Sequence, residues 1–73
     1  MYWTQQLYDR ATENYNKAIE LDPKFYEAYI NRGNTYSQTH LFDKAIDDYT
    51  QAIEINTGFA PTYTNRGLAF SGK

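Results

Sequence analysis

Residues 25–36 read FYEAYINRGNTY, and residues 59–70 read FAPTYTNRGLAF. Each stretch opens on a phenylalanine, places a tyrosine one helical turn later, continues into Asn-Arg-Gly and closes on an aromatic ring at Tyr36 or Phe70. The displacement between them is 34 residues, and it holds well beyond these stretches. Ala11 falls on Ala45, Tyr15 on Tyr49, and Ala18-Ile19-Glu20 on Ala52-Ile53-Glu54, while Leu7 and Asp9 fall on Leu41 and Asp43. A fixed period of this size is the mark of stacked supersecondary units, each unable to bury its apolar face alone.

Inside the period the spacing is helical. Phe25, Ala28, Tyr29, Gly33 and Tyr36 recur at intervals of three and four, which gathers them on one helix face. Phe42, Ala45, Ile46, Tyr49, Ala52 and Ile53 form a second stripe. The segment Tyr8, Ala11, Tyr15, Ala18, Ile19 copies that second stripe, and Phe59, Tyr63, Gly67, Phe70 copies the first. Between them stand breakers: Asp22-Pro23, where the proline lacks a donor for a helix interior, the Thr39-His40 turn, and Asn56-Thr57-Gly58. The spacing therefore predicts four helices over about residues 3–21, 25–38, 41–55 and 59–72, an all-α chain. Short linkers make consecutive helices antiparallel.

The middle unit reads Tyr29-x2-Arg32-Gly33-x2-Tyr36, then Ala45-x3-Tyr49, then Ala52. This resembles the tetratricopeptide repeat, whose 34-residue signature is W-x2-L-G-x2-Y, then A-x3-F and a closing proline. The resemblance implies antiparallel helical hairpins stacked as a right-handed solenoid segment. It divides the chain into a half repeat at 1–25, a full repeat at 26–59 and a half repeat at 60–73. Gly33 removes a side chain where the two helices of a repeat meet, offsetting a helix-propensity cost of roughly 1 kcal/mol. Ala45 and Ala52 are the small residues facing it, and Tyr29, Tyr36 and Tyr49 are the knobs. Arg32 and Arg66 stand where the family favours leucine, and Thr57 stands at its closing proline.

The family binds peptides along the face lined by the first helix of each repeat. The resemblance places Glu27, Ile30, Asn31, Asn34 and Gln38 there, with Thr64, Asn65 and Leu68 from the next repeat. Asparagine amides suit an extended backbone or a carboxylate, since each offers two donors and an acceptor. Asn34 and Asn65 match the two asparagines of the family's carboxylate clamp, but Ile30 stands where the clamp uses lysine, so a working clamp is not expected. The expected function is a non-catalytic interaction scaffold holding a peptide or partner protein. The alternative is self-assembly into a homo-oligomer, with Tyr63, Gly67 and Phe70 of the last helix meeting Ala11, Tyr15 and Ala18 of another copy. Those two sets are complementary halves of one repeat.

Other chemistry finds little support in the sequence. Arg32 and Arg66 are expected to lay their stems on aromatic rings with the guanidinium in water. His40, the single histidine, has neither a second histidine nor a cysteine to share a metal or a proton with. Asp47 and Asp48 are adjacent on a helix, so their carboxylates diverge. No phosphate loop, nucleophile elbow or metal spacing suggests an enzyme or a cofactor. A net charge of -2 gives no basic field for nucleic acid. No apolar run reaches the length of a membrane span, and a cytoplasmic location is the default expectation. Tyr2 and Trp3 are large apolar groups with no obvious cover.

Overall fold

The computed structural model describes residues 2–73, with side chains from Gln5 onward. The Tyr2 and Trp3 side chains fall outside that description. Four helices follow in order: α1 (Tyr2–Leu21), α2 (Tyr26–Gln38), α3 (Phe42–Ile55) and α4 (Ala60–Gly72). Each boundary lies within a residue of the sequence expectation, because the breakers act where their chemistry says they must. At the first break Lys24 N–H donates to Asp22 Oδ1 at 3.2 Å, an aspartate-closed turn ahead of α2. At the last, Pro61 occupies the first turn of α4, where its missing donor costs nothing.

The α2–α3 turn is tighter and has a specific design. His40 takes a positive φ of 62°, the left-handed position that follows a helix C-cap. Leu41 N–H then donates to Tyr36 carbonyl at 2.8 Å and His40 N–H to Ser37 carbonyl at 3.1 Å. These two bonds satisfy carbonyls that the helix end would otherwise orphan. The imidazole lies edge-on to Phe42, with ring centroids 5.6 Å apart. His40 therefore acts as a turn residue.

With connections this short, neighbouring helices run antiparallel and pack as hairpins. The α2–α3 pairing is the most extensive, followed by α3–α4 and α1–α2; α2 also touches α4, while α1 reaches neither α3 nor α4 among the described residues. The core sits where the signature residues meet. Ala45 and Ala52 are 0% exposed and Tyr49 1%, joined by Ile30 and Ala69. Gly33 is what lets α3 come so close. A Cβ built there would lie 2.7 Å from Tyr49 Cε1, closer than any real contact. One orphan stands out: Thr62 is fully buried, and among the described residues its hydroxyl has no hydrogen-bond partner.

Candidate functional site

The α2/α4 face carries a cleft of about 330 Å³ between these two helices and the start of α3. Its polar lining is Asn34, Ser37, Gln38 and Asn65, and its apolar lining comes from Phe42, Tyr49, Leu68 and Ala69. A hydrogen-bond chain joins the helices across its base. The Tyr49 hydroxyl donates to Asn34 Oδ1. Asn65 Nδ2 donates to the same oxygen at 3.3 Å. Ser37 Oγ stands 3.4 Å from the Tyr49 hydroxyl. Burial pushes the Tyr49 phenol above its ordinary pKa, further favouring the protonated form that donates to Asn34.

The Asn34 carbonyl is therefore occupied twice over. What Asn34 offers a ligand is its Nδ2 donor pair, and what Asn65 offers is its carbonyl together with a remaining N–H. A donor and an acceptor side by side match the alternating N–H and C=O groups of an extended peptide. Leu68 is two-thirds exposed beside them and supplies an apolar contact.

A second, shallower depression of about 220 Å³ lies towards the start of α2, lined by Glu27, Ile30, Asn31 and Phe59. Tyr26 packs edge-on to Phe59 at 5.5 Å and fixes that end of the face. Seven of the eight groove residues expected from the sequence thus divide between the two depressions. Asn34, Gln38, Asn65 and Leu68 line the larger; Glu27, Ile30 and Asn31 line the smaller. Thr64 is exposed and lines neither. Ile30 is only 8% exposed and belongs mainly to the core. The α3 contributions, Phe42 and Tyr49, were assigned by their spacing to packing alone. The one available signal was the Tyr49 hydroxyl, which needs a polar partner when the ring is buried.

The arginines behave differently from one another. Arg32 does lie over the Tyr29 and Tyr36 rings, at 5.5 and 6.0 Å, as expected. Its guanidinium, however, is not left in water. Nε donates to Asp48 Oδ2 at 2.8 Å and Nη2 to Asp48 Oδ1 at 2.7 Å, while Nη1 donates to Asn16 Oδ1 at 2.7 Å. One side chain thereby ties α1, α2 and α3 together. The fork matches the carboxylate in two parallel bonds, and its bond to Asp48 holds the guanidinium pKa above its ordinary value. Asp48 is buried and Asp47 exposed, so the two adjacent carboxylates do diverge. Arg66 lies over Tyr63 at 5.8 Å and, among the described residues, donates only to Thr50 Oγ1, at 3.2 Å.

The remaining six expected contact residues lie at the two ends of the helix array. Ala11, Tyr15 and Ala18 on α1 are half-buried, whereas Tyr63, Gly67 and Phe70 on α4 are exposed. Within the single chain the two sets do not meet, since α1 and α4 share no contact among the described residues. Among the described residues no helix is long and apolar enough to cross a membrane.

Comparison with known families agrees with this architecture. The family model described as Tetratricopeptide repeat matches residues 26–59, and one described as TPR repeat matches residues 1–39. A search of curated proteins finds no match to the chain. Repeats of this kind generally mediate protein–protein interaction and are typically non-catalytic scaffolds. Two overlapping family matches, the 34-residue period and four hairpin-forming helices lead to one conclusion: the chain belongs to the tetratricopeptide repeat family.

Proposed function

We propose that this chain is a non-catalytic scaffold that holds an extended segment of a partner polypeptide along the α2/α4 face. The observation that carries the reading is the Asn34–Asn65 pair, bridged across two helices in a cleft that also presents Leu68 and Phe42. Amide donors and an acceptor would pair with the ligand backbone, and the apolar wall would seat one of its side chains. The charge on this face also constrains the ligand. Glu27 is its acidic group, and the position a carboxylate clamp fills with lysine holds the largely buried Ile30. The ligand expected is a neutral or mildly basic internal segment and not an acidic C-terminal tail.

A peptide selected against the chain from a random library, titrated into labelled protein, tests this. Amide shifts should centre on Asn34, Asn65 and Leu68, and Asn65→Ala should weaken binding about fivefold, the loss of one hydrogen bond near 1 kcal/mol. Arg10→Ala and Lys17→Ala, on the exposed side of α1, should leave affinity unchanged. Shifts confined to residues 8–19 and 42–53 would overturn the reading.

A further inference from the structure

The two depressions on the α2/α4 face differ in charge. Neutral side chains line the larger one throughout, and Glu27 is the one charged group among the residues lining either. Its side chain is exposed, and among the described residues it takes part in no salt bridge. Glu27 lies in the first turn of α2, where a carboxylate suits the helix dipole. That role explains a charge at this position but not the company it keeps. Ile30 borders the depression and offers an aliphatic wall to the stem of a lysine or arginine. Asn31 adds an amide carbonyl as a second acceptor. Phe59 adds an aromatic ring, held in place by the edge-on Tyr26 at 5.5 Å, and such a ring attracts a cation to its face. At about 220 Å³ the space suits one side chain, since sites that enclose a whole small molecule run to roughly 300–1,000 Å³.

The spacing of the two depressions sets a register. Asn34 stands two helical turns after Glu27 on α2, a separation of about 10.5 Å along the axis. A polyproline II chain rises about 3.1 Å per residue with three residues per turn, so side chains three positions apart point the same way at about 9.3 Å. A β-strand turns such a pair to opposite sides. Resting on the groove reading above, we infer that the Glu27 depression is a subsite for a lysine or arginine side chain of the bound segment. That residue lies three positions from an apolar side chain seated against Leu68 and Phe42, and the segment between them is polyproline II. The subsite is exposed, so it adds selectivity more than affinity and weakens with salt. The facing amides of Asn34 and Asn65 accept either chain direction, and the order of the two side chains is read from the peptides that bind.

A random dodecapeptide library selected on the chain tests this. The enriched sequences should carry lysine or arginine three positions from a leucine, isoleucine, methionine or phenylalanine, always on the same side of it. The strongest binder is then resynthesised with acetyl and amide caps, so that only a side chain can supply the cation. Replacing its basic residue by glutamine should weaken binding about fivefold at about 50 mM salt and much less at about 500 mM. Glu27→Gln should weaken the basic peptide by the same factor and leave the glutamine peptide unchanged. Glu27→Lys should reverse the preference, towards glutamate at that position of the peptide. Enriched sequences without a basic residue at this spacing would overturn the subsite. An equal effect of Glu27→Gln on both peptides would overturn it too, since a carboxylate serving only the helix dipole acts on any ligand alike. Asn65→Ala keeps the two readings apart. If it weakens binding while the charge changes do nothing, the groove stands without a cation subsite; if it too has no effect, the groove reading falls and the subsite with it.

Discussion

Arg32 shows how much one residue can do in a molecule with so small a core. Its fork holds both oxygens of Asp48, its third nitrogen holds Asn16, and its plane lies near two tyrosine rings. Lysine has the same charge but a single point of attachment, and it cannot make the paired bond or the planar contact. Arg32→Lys should therefore leave Asp48 half-satisfied in a buried position and loosen α1 from the hairpin. We expect a loss of about 2 kcal/mol, within the range for a buried polar group left short of partners, read as a lower urea midpoint. Arg66→Lys should cost far less, since among the described residues Arg66 reaches one hydroxyl and no carboxylate. Equal effects at the two positions would mean that the Asp48 pairing contributes little. Nothing in the sequence marked this difference. Both arginines stand in identical Asn-Arg-Gly contexts, and only the packed hairpin brings residue 48 to residue 32.

At the scale of elements, the order of the helices was readable because period, breakers and apolar stripes agree. The Gly33 contact was readable for a physical reason: a glycine inside a helix is unfavourable unless something occupies the space of its side chain. Tyr49 occupies it. Gly33→Leu should force α2 and α3 apart, at a cost of about 3 kcal/mol from overpacking, with loss of most helical circular dichroism at room temperature. An unchanged melt would show that the α2–α3 approach is wrong. The candidate site was legible only in part. Asn34 and Asn65 could be placed by their position after and before glycine on a first helix. Phe42 and Tyr49 could not, because period alone assigns an aromatic on α3 to the core and is silent about its edge. The His40 turn was located, but its left-handed backbone was not, since that conformation normally advertises itself with glycine or asparagine.

At the largest scale, the chain has a small core. A chain of this length buries only about 60% of its unfolded surface, and here the completely buried positions are mostly alanine. Any self-association would therefore be coupled to stability. If α4 of one copy covers α1 of the next, the folded state is bound and the unfolded state is not, so unfolding must first break the contact. Mass action then adds about 1.4 kcal/mol of stability for each tenfold rise in concentration above the dissociation constant. For a domain of this size that amounts to a Tm increase of about 5–10 °C per decade. Self-assembly through the end helices, the alternative the sequence offers, would give this rise in the parent chain and a flat Tm in Gly67→Leu when calorimetry is run at several concentrations. The same substitution should raise the Tm at the lowest concentration by a few degrees, since leucine is the better helix former by nearly 1 kcal/mol and a Cβ at that position meets nothing within 4 Å. The two Tm curves should thus cross. That crossing separates loss of docking from loss of folding, because a variant that merely damaged the monomer would melt lower at every concentration.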